Sequence, residues 1–435
     1  MPYGKTHLTF TLPDGLDVQL LAPRDVAGAA DEMAAVTHAL TSPLDGRSLE
    51  DLWAGVSRRS AVGGRPPSVA IAINDKTRPV PHKYLLPPLL AQLEALGVAS
   101  ADITLVIATG THAPMPPEEF GQVVPPEILA RYPVVSHDCD AADLVVLGRT
   151  QRGVEVRANR RFMEADLRIV VGNIEPHQFM GWSGGMKSAA IGLAGKEMIN
   201  ANHALMSEPG AELGHYDDNP MRQEVEEIGR MMGVHYALNA ILNDHKQIVH
   251  ALAGDPATVM RAGIPLARRI CQVEVAAAFD LLVVSPGGHP KDINVYQGQK
   301  ALGHASLVVK PGGAIILAMA CPEGAGSRTY ESFMADPAMT SYQAVLARYR
   351  REGYRIGPHK AFQIARDASR VRLMTVSDMP ADFARRLLLN PVGSRTGMSS
   401  QAQLDAALAQ VLLDSPANVR IGVMPWANAT IPAQE

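Results

Sequence analysis

The sequence predicts an α/β fold made of two α/β domains with mainly parallel sheets. Along most of the 435 residues, short apolar runs end in polar or glycine-containing loops and lead into helical stretches. Apolar strands that alternate with helices are typical of parallel sheets, because the helices cover both faces of the strands. The length fits two or three domains of roughly 100–200 residues each.

The first half of the chain contains three such strands. The first predicted strand is SVAIAIND (68–75), and the helix after it is KYLLPPLLAQLEALG (83–97). The next two strands are DITLVIATGTH (102–112) and DLRIVVGNIEPH (166–177). Each strand ends in polar residues. Ligands of open α/β sheets bind beyond the carboxyl ends of the strands, so these polar residues are the first site candidates.

The second half repeats the same design. Strands are predicted within 280–302, within 312–324 and, last in the chain, at NVRIGVMPWA (418–427). A connection into this second α/β region lies near residue 270. We therefore predict an N-terminal domain over 1–272 and a C-terminal domain over 273–435.

The composition argues against some classes of binding partner. The chain carries 44 acidic and 40 basic residues, for a net charge of −4, so no basic field points to nucleic acid or to an anionic membrane. No apolar run approaches the roughly 18 residues that a membrane span needs. The start of the chain does not have the pattern of a signal peptide, and the three cysteines are too few and too far apart for a disulfide framework. We expect a cytoplasmic protein with reduced thiols and a small-molecule partner.

A glycine-rich segment, GWSGGMKSAAIGLAGKEMINANH (181–203), has the look of a phosphate-binding loop. It does not fit the nucleoside-triphosphate pattern, because Met186 separates Gly185 from Lys187. It does not fit a dinucleotide fingerprint either, since the glycines do not directly follow a strand. Two interpretations stay open: Gly184 and Gly185 let the backbone approach an anion closely, or the segment is an ordinary turn with a surface lysine.

Two histidines follow successive strands, His112 in ATGTH and His177 in NIEPH. Either could be a structural histidine on its own. Together they could flank one substrate as proton acceptor and proton donor. His203 lies in a predicted helix, and the sequence contains no HExxH motif that would indicate a zinc hydrolase.

Three further residues suit the binding of a carboxylate. Arg78, after the first strand, could hold a carboxylate through two hydrogen bonds or belong to a charged helix start. Gln297 and Lys300 are three residues apart, which places both on one face of a helix. Lys300 could be a second carboxylate anchor, or the pair could be a solvated helix face.

Taken in order, these motifs resemble those of the lactate racemase family, whose members use the nickel-pincer nucleotide cofactor. The matching motifs are DxTR, ATGTH, EPH…GGxK…NH and YQxxK, between about residues 68 and 303. The spacing agrees as well, with ten residues from His177 to Lys187 and sixteen from Lys187 to His203. One departure is Ile191, where a proline commonly precedes the glycine.

The resemblance implies a covalent cofactor. Lys187 would be joined through a thioamide to pyridinium-3-thioamide-5-thiocarboxylic acid mononucleotide. This group would hold Ni(II) through one carbon and two sulfurs, with His203 as the fourth ligand in a square-planar site. Ser183, Gly184 and Gly185 would line the cofactor.

The resemblance also implies the reaction, inversion at C2 of a 2-hydroxy acid such as lactate. One of His112 and His177 would remove the hydroxyl proton while the C2 hydride moves to the cofactor and returns to the other face. The other histidine would serve the opposite enantiomer.

The same resemblance assigns the substrate contacts. Arg78 and Lys300 would hold the substrate carboxylate, and Gln297 and Asp75 would be polar neighbours. The active site would lie in the cleft between the two domains. The domains would open and close around the small acid. The protein would be a monomer or a homodimer.

Several alternatives remain at this level. The substrate could instead be malate, an aryl or aliphatic 2-hydroxy acid or a sugar acid, with Lys291 or Arg328 as a cation for a second carboxylate. A cofactor-free isomerase or lyase could use His112 and His177 as plain acid and base. A two-domain protein that only binds a small acid is the non-enzymatic alternative.

Overall fold

The structure, a computed structural model, divides the chain into two compact units. It describes residues 1–63, 66–78, 80–393, 397–416 and 418–434. The central unit is Asp25–Ile270, and the terminal unit joins Met1–Arg24 to Cys271–Glu435. Both units have the mixed α/β composition that the sequence predicts.

The elements of the described residues follow in chain order. The helices are α1 Glu32–Thr41, α2 Leu49–Gly63, α3 His82–Ala95, α4 Pro126–Leu129, α5 Arg160–Glu164, α6 Lys187–Ala190, α7 Lys196–Ala204, α8 Pro220–Met231, α9 Pro256–Cys271, α10 Val295–Gly298, α11 Lys300–Ala305, α12 Arg328–Met334, α13 Tyr342–Glu352, α14 Pro358–Ala368, α15 Ala381–Arg386 and α16 Ser400–Asp414. The strands are β1 Pro2–Tyr3, β2 Thr6–His7, β3 Asp17–Leu20, β4 Val69–Asn74, β5 Ile103–Ala108, β6 Val134–Ser136, β7 Val145–Arg149, β8 Glu155–Ala158, β9 Leu167–Asn173, β10 Pro176–His177, β11 Gly181–Trp182, β12 Tyr236–Leu242, β13 Ile248–Gly254, β14 Gln272–Val275, β15 Phe279–Val284, β16 Val309–Ala318, β17 Arg372–Val376, β18 Arg420–Met424 and β19 Ile431–Gln434. Short 3-10 helices occupy Ser100–Asp102, Pro117–Gln122, Leu205–Ser207 and Ala427–Ala429.

The central unit is built on a sheet with the strand order β13-β12-β9-β4-β5-β6. Every neighbouring pair is parallel except β12 with β13. The apolar runs of β4, β5 and β9 are largely buried, as expected for strands covered on both faces. In α3, Leu85, Leu89 and Leu93 recur at helical spacing and pack into the same core.

The order of this sheet determines where a ligand can bind. The chain goes from β4 to β5 and β6 on one side, while β9 and β12 lie on the other side of β4. The strand order therefore reverses between β4 and β9, and a crevice opens at the carboxyl ends of strands around such a point. The residues that follow β4, β5 and β9 are those predicted to carry the site.

The terminal unit has its own parallel sheet, with the strand order β17-β16-β15-β18-β3. Its edge strand β3 brings residues 1–24 into this unit, because Asp17 pairs with Arg420 and Leu20 with Val423. The predicted N-terminal domain, 1–272, had included residues 1–24. A short strand does not reveal its pairing partner, and here the partner lies about 400 residues away.

In the described part of the chain, the structure contains no helix that is both long enough and apolar enough to cross a membrane.

A buried histidine in the terminal unit makes stability depend on pH. His304 Nδ1 donates to the backbone oxygen of Thr430 at 2.9 Å, and burial lowers the pKa of His304 to about 4. The unfolded chain takes up a proton near pH 6.5, whereas the folded chain takes it up only near pH 4. The stability that comes from keeping His304 neutral is therefore fully present above pH 6.5 and is lost as the pH falls toward 4.

We expect the free energy of unfolding to fall by up to about 3 kcal/mol between pH 6.5 and 4 from this residue alone, at about 1.4 kcal/mol per pKa unit. Urea unfolding of the wild type and of His304→Gln across this range measures the difference. The variant should lose part of the pH dependence, and parallel profiles for the two proteins would contradict the assignment.

Candidate active site

The crevice at the switch of strand order in the central unit is a pocket of about 130 Å³. Its walls are the segments after β4, β5 and β9 together with parts of residues 183–203. The predicted site residues that line it are Asp75, Arg78, His112, His177, Ser183, Gly184, Lys187 and His203. The structure thus places residues from four separate motifs around one cavity.

His112 is held by a carboxylate. Its Nδ1 lies 2.6 Å from Asp75 Oδ2, while Asp75 Oδ1 accepts hydrogen bonds from the hydroxyl and the amide of Thr77. Burial opposes ionisation of Asp75. The hydrogen bond and charge of His112, with help from Thr77 and Arg78, outweigh it and hold the pKa of Asp75 below its usual value. An ionised carboxylate can only accept, so His112 Nδ1 carries the proton and the lone pair of the neutral ring is on Nε2.

This pairing gives Asp75 a partner that the sequence did not predict. The sequence predicted Asp75 as a polar neighbour of the substrate, and that role stays a prediction. In the structure its side chain is only 5% exposed, against 52% for His112, and both carboxylate oxygens have protein partners. The carboxylate therefore orients a histidine, which in turn faces the pocket.

His177 has the opposite tautomer to His112. Its Nδ1 accepts a hydrogen bond from the amide of Met180 at 3.3 Å, so the proton of the neutral ring is on Nε2. The residue belongs to a tight hairpin in which β10 pairs with β11, and His177 is opposite Gly181. The Phe179 ring packs edge to face against the rings of His177 and His203, with centroid distances of 4.7 and 5.7 Å.

The glycine segment is a sharply bent loop that only glycine can form. Gly184 and Gly185 have φ angles of +100° and +56°. A Cβ on Gly185 would come within 2.6 Å of Met260 Cγ, and one on Gly184 within 3.0 Å of the Asn173 oxygen. Gly184 lines the pocket, whereas the amide of Gly185 donates to Asn239 Oδ1 at 2.8 Å. The loop is therefore a packed element of the site rather than an ordinary surface turn.

A buried arginine holds the backbone of this loop in place. Arg222 on α8 is fully buried and donates to the backbone oxygens of Trp182 and Gly184, at 3.2 and 2.9 Å. Its Nε also donates to Glu226 at 2.9 Å, which offsets the buried charge. Sequence reasoning missed Arg222, because an arginine in an amphipathic helix gives no sign of the loop it will contact.

Lys187 and His203 are placed by two short helices. Lys187 is the first residue of α6, is half-buried and lines the pocket. His203 is near the end of α7, and its Nδ1 donates to the backbone oxygen of Ile199 at 2.9 Å. The lone pair of the neutral His203 ring is then on Nε2, which is the arrangement of a histidine that ligates a metal. The hydroxyl of Ser183 is buried and has no hydrogen-bond partner in the described structure.

The segment that departs from the family pattern packs closely against β5. A Cβ on Gly192 would come within 2.3 Å of the Ser188 oxygen and 2.6 Å of the Ala108 Cβ. The backbone oxygen of Gly192 accepts from the amide of Gly110 at 3.0 Å. Ile191 lines the pocket, so the residue that replaces the common proline contributes a side chain to the wall.

Sequence reasoning also missed polar residues of the pocket. Asn74 and Asn173 are the last residues of β4 and β9, and Glu175 lies between β9 and His177. The Oδ1 atom of Asn74 is buried and has no hydrogen-bond partner among the described residues. The strand-end rule could have found both asparagines, since they occupy equivalent positions on two strands.

The remaining predicted residues belong to the terminal unit. Gln297 lies in α10, and Lys300 is the first residue of α11. Both are half-buried, and the ammonium of Lys300 donates to Gln297 Oε1 at 2.7 Å. Of the two cations considered for a second carboxylate, Lys291 is half-buried and Arg328, at the start of α12, is exposed.

Comparisons with known proteins agree over both units. Residues 3–214 match the family model for the lactate racemase N-terminal domain, and residues 274–411 match that for the lactate racemase C-terminal domain. A curated lactate racemase from Thermoanaerobacterium thermosaccharolyticum is 31% identical over 76% of each chain. One from Lactiplantibacillus plantarum is 29% identical over 77% of this chain and 78% of that protein.

Solved structures give the same picture. The structure superposes on that of the lactate racemase apoprotein from Thermoanaerobacterium thermosaccharolyticum with a TM-score of 0.88, at 27% identity and over 99% of both chains. A crystal structure of a Thermotoga maritima protein matches with a TM-score of 0.61 at 16% identity, over 89% of this chain and 98% of that one. The second match shows the fold alone.

Proposed function

This chain belongs to the lactate racemase family, and on that premise we propose that it is an isomerase that inverts C2 of lactate or a related 2-hydroxy acid. One observation carries the proposal: His112 and His177, from different strand ends, line the same pocket as Lys187 and His203. Two acid–base groups beside one cavity suit a reaction that must start from either enantiomer.

We propose the nickel-pincer nucleotide as the cofactor, with Lys187 as its attachment point, because the residues present fit it. Gly184 and Ser183 line the same pocket as Lys187, and Ser183 offers a buried hydroxyl that has no hydrogen-bond partner among the described residues. His203 has the tautomer of a metal ligand, and imidazole suits Ni(II). When bound, this group supplies the acceptor for the C2 hydrogen.

The two histidines are held in complementary states. His112, with its Nδ1 proton directed to Asp75, has Nε2 as a proton acceptor, and the adjacent carboxylate stabilises the imidazolium that results. His177, with Nδ1 accepting from Met180, presents an Nε2–H that can donate a hydrogen bond to the oxygen at C2. One enantiomer would lose its hydroxyl proton to His112, and the imidazolium so formed would return a proton to that oxygen after inversion. For the opposite enantiomer His177 would be the base, in the tautomer that carries the lone pair on Nε2.

The substrate carboxylate needs fixed cations. Arg78 lines the pocket, and its planar guanidinium can hold a carboxylate through two hydrogen bonds. We propose Lys300 as the second anchor, with its ammonium held in place by Gln297. Binding and orientation by these groups would fix C2 relative to the histidines.

The test is the fate of the C2 hydrogen. The protein, co-expressed with the enzymes that make the cofactor, is given C2-deuterated lactate, and the label in the inverted product is measured by mass spectrometry. We expect most of the deuterium to survive inversion, whereas removal of a C2 proton by His112 or His177 would exchange it with solvent.

Lys187→Ala is the control for contaminating racemase activity. Inversion with full loss of label would replace the proposed mechanism with cofactor-free acid–base chemistry. Failure to invert any 2-hydroxy acid, beside a lactate racemase that is active after the same preparation, would overturn the proposed activity.

A further inference from the structure

Helix α8 contacts three segments of the central unit that lead to the pocket. They are the β10–β11 hairpin with His177, the glycine loop before Lys187 and helix α7 with His203. These segments and α8 all belong to Asp25–Ile270, and the three named side chains line the pocket. The contacts of α8 therefore bear on how Lys187 is placed relative to the two histidines.

Asn219, the residue before α8, joins this helix to the hairpin. It is fully buried, and its Oδ1 accepts from two amides of the first turn, at 3.0 and 3.2 Å, which caps the helix. Its Nδ2 donates to the backbone oxygen of Phe179 at 2.9 Å. Because the Phe179 ring packs against both His177 and His203, Asn219 fixes the backbone of the residue that these two rings share.

Asn202, directly before His203, joins α7 to α8. Its side chain is fully buried, and its Nδ2 donates to the backbone oxygen of Met221 at 3.0 Å and to Glu224 Oε2 at 3.2 Å. The other oxygen of Glu224 accepts from the hydroxyl of Thr150 at 3.3 Å. Buried amides and carboxylates are costly to leave unpaired, so these bonds hold the end of α7 against α8.

Arg222 joins α8 to the glycine loop. Its Nη1 and Nη2 donate to the backbone oxygens of Trp182 and Gly184, so one rigid guanidinium holds the loop at two points. Further along α8, a Cβ on Gly229 would come within 2.6 Å of the Cβ of Met186, the residue before the lysine of the pocket. The loop is therefore held by α8 on both sides of its second glycine.

We propose that Arg222 is a positioning residue that fixes where Lys187 stands in the pocket. His177 and His203 are tied to the same helix, so this contact sets the lysine relative to both. Arginine suits the role because its planar fork serves the two loop oxygens and the Glu226 carboxylate at once. The inference rests on the proposed function, in which Lys187 carries the cofactor.

The first test uses the apo protein and measures the loop directly. In Arg222→Met, we expect hydrogen exchange of the amides of residues 183–188 to become at least about 10-fold faster, the least that loss of a hydrogen bond from a charged group implies. Acetylation of Lys187 by a small amine reagent, followed by peptide mass spectrometry, should become at least about 3-fold faster as the half-buried lysine gains exposure.

Three variants separate positioning from loss of the ion pair. Glu226→Gln keeps the arginine and its two loop bonds and should behave like the wild type. Arg222→Met combined with Glu226→Gln leaves no unpaired buried carboxylate and should behave like Arg222→Met. Arg222→Lys, which keeps the charge but not the fork, should recover part of the slow acetylation of Lys187. If Arg222→Met does not fold, Arg222→Gln takes its place.

Arg168→Met is the matched control for general destabilisation. Arg168 also donates to backbone oxygens, those of Ala165 and Gly233, but it lies near the start of β9, whereas the pocket lies at the end of that strand. This variant should lower the melting temperature and leave exchange at residues 183–188 and acetylation of Lys187 unchanged. An equal effect of Arg168→Met on the loop would overturn the inference.

The second test uses protein co-expressed with the cofactor-making enzymes. The fraction of folded chains with the covalent adduct, measured by intact mass, should fall about 10-fold in Arg222→Met and stay at the wild-type level in Arg168→Met. Arg222→Lys should recover part of the loading. Full loading of Arg222→Met beside a loaded wild type would overturn the inference, and so would acetylation of its Lys187 at the wild-type rate.

The two tests separate this inference from the proposed function. A wild type that carries no adduct, but whose Lys187 acetylation depends on Arg222, would support the positioning role and refute the proposed cofactor. A wild type that loads and inverts lactate, with a loop that does not respond to Arg222→Met, would refute only the positioning role.

Discussion

Lys187→Ala is expected to give a folded chain of unmodified mass that holds no nickel and inverts no 2-hydroxy acid. The wild type, co-expressed with the cofactor-making enzymes, should carry a covalent adduct and about one nickel per chain, the value that a single attachment lysine implies. Because the cofactor performs the difficult chemistry, loss of its attachment should lower activity by at least about 10³-fold. Intact mass, metal analysis and polarimetry measure the three quantities.

Lys196→Ala is the matched control for this variant. Lys196 is nine residues further along the same segment, and its ammonium pairs with Asp140 at the surface, at 2.8 Å. Lys196→Ala should carry the covalent adduct and the nickel, and should invert the substrate, like the wild type. An adduct that persists in Lys187→Ala, or an unmodified nickel-free wild type beside a family member that loads in the same host, would refute the assignment of Lys187.

The second large effect concerns the two histidines of the pocket. His112→Asn and His177→Asn should each lower the rate of racemisation by roughly 10²–10⁴-fold in both directions, the usual contribution of a general acid or base. Adduct mass and nickel content should stay at wild-type levels, because neither residue is an attachment point. Circular dichroism or polarimetry from each pure enantiomer gives the rates.

The racemisation rate of Asp75→Asn should lie between the rates of the two histidine variants and that of the wild type. An asparagine can keep a contact with His112 Nδ1, but it cannot stabilise the imidazolium by charge. His38→Asn, at an exposed position on α1, is the control and should not affect the rate. Full activity in either His112→Asn or His177→Asn would remove that histidine from the mechanism.

The sequence predicted much of the fold and of the pocket because the signals are local. Val69 to Asn74 form an unbroken apolar run that ends in a polar residue, and the same pattern recurs up to Asn173. Such runs define parallel strands, and parallel strands align their carboxyl ends. The meeting of Asp75, His112 and His177 around one cavity therefore follows from the order of the strands.

What the sequence did not show depends on contacts between distant residues. Arg222 supports the backbone at Gly184 from 38 residues away, and Asp75 contacts His112, which lies 37 residues further along the chain. Side-chain pairing of this kind leaves no periodic pattern in the sequence, so only the structure shows it.

The pairing of β3 with β18 has a consequence for biosynthesis. Asp17–Leu20 leaves the ribosome about 400 residues before its partner strand does. At roughly 5–20 residues per second, the wait is on the order of 20–80 s. During that time the central unit can fold from the residues already made, whereas the N-terminal strand, with Leu20 still 63% exposed even in the finished protein, has no sheet to join. Translation of β18 is therefore required before β3 can join its sheet, and a nascent chain stalled before residue 420 would present an unpaired β3 to chaperones.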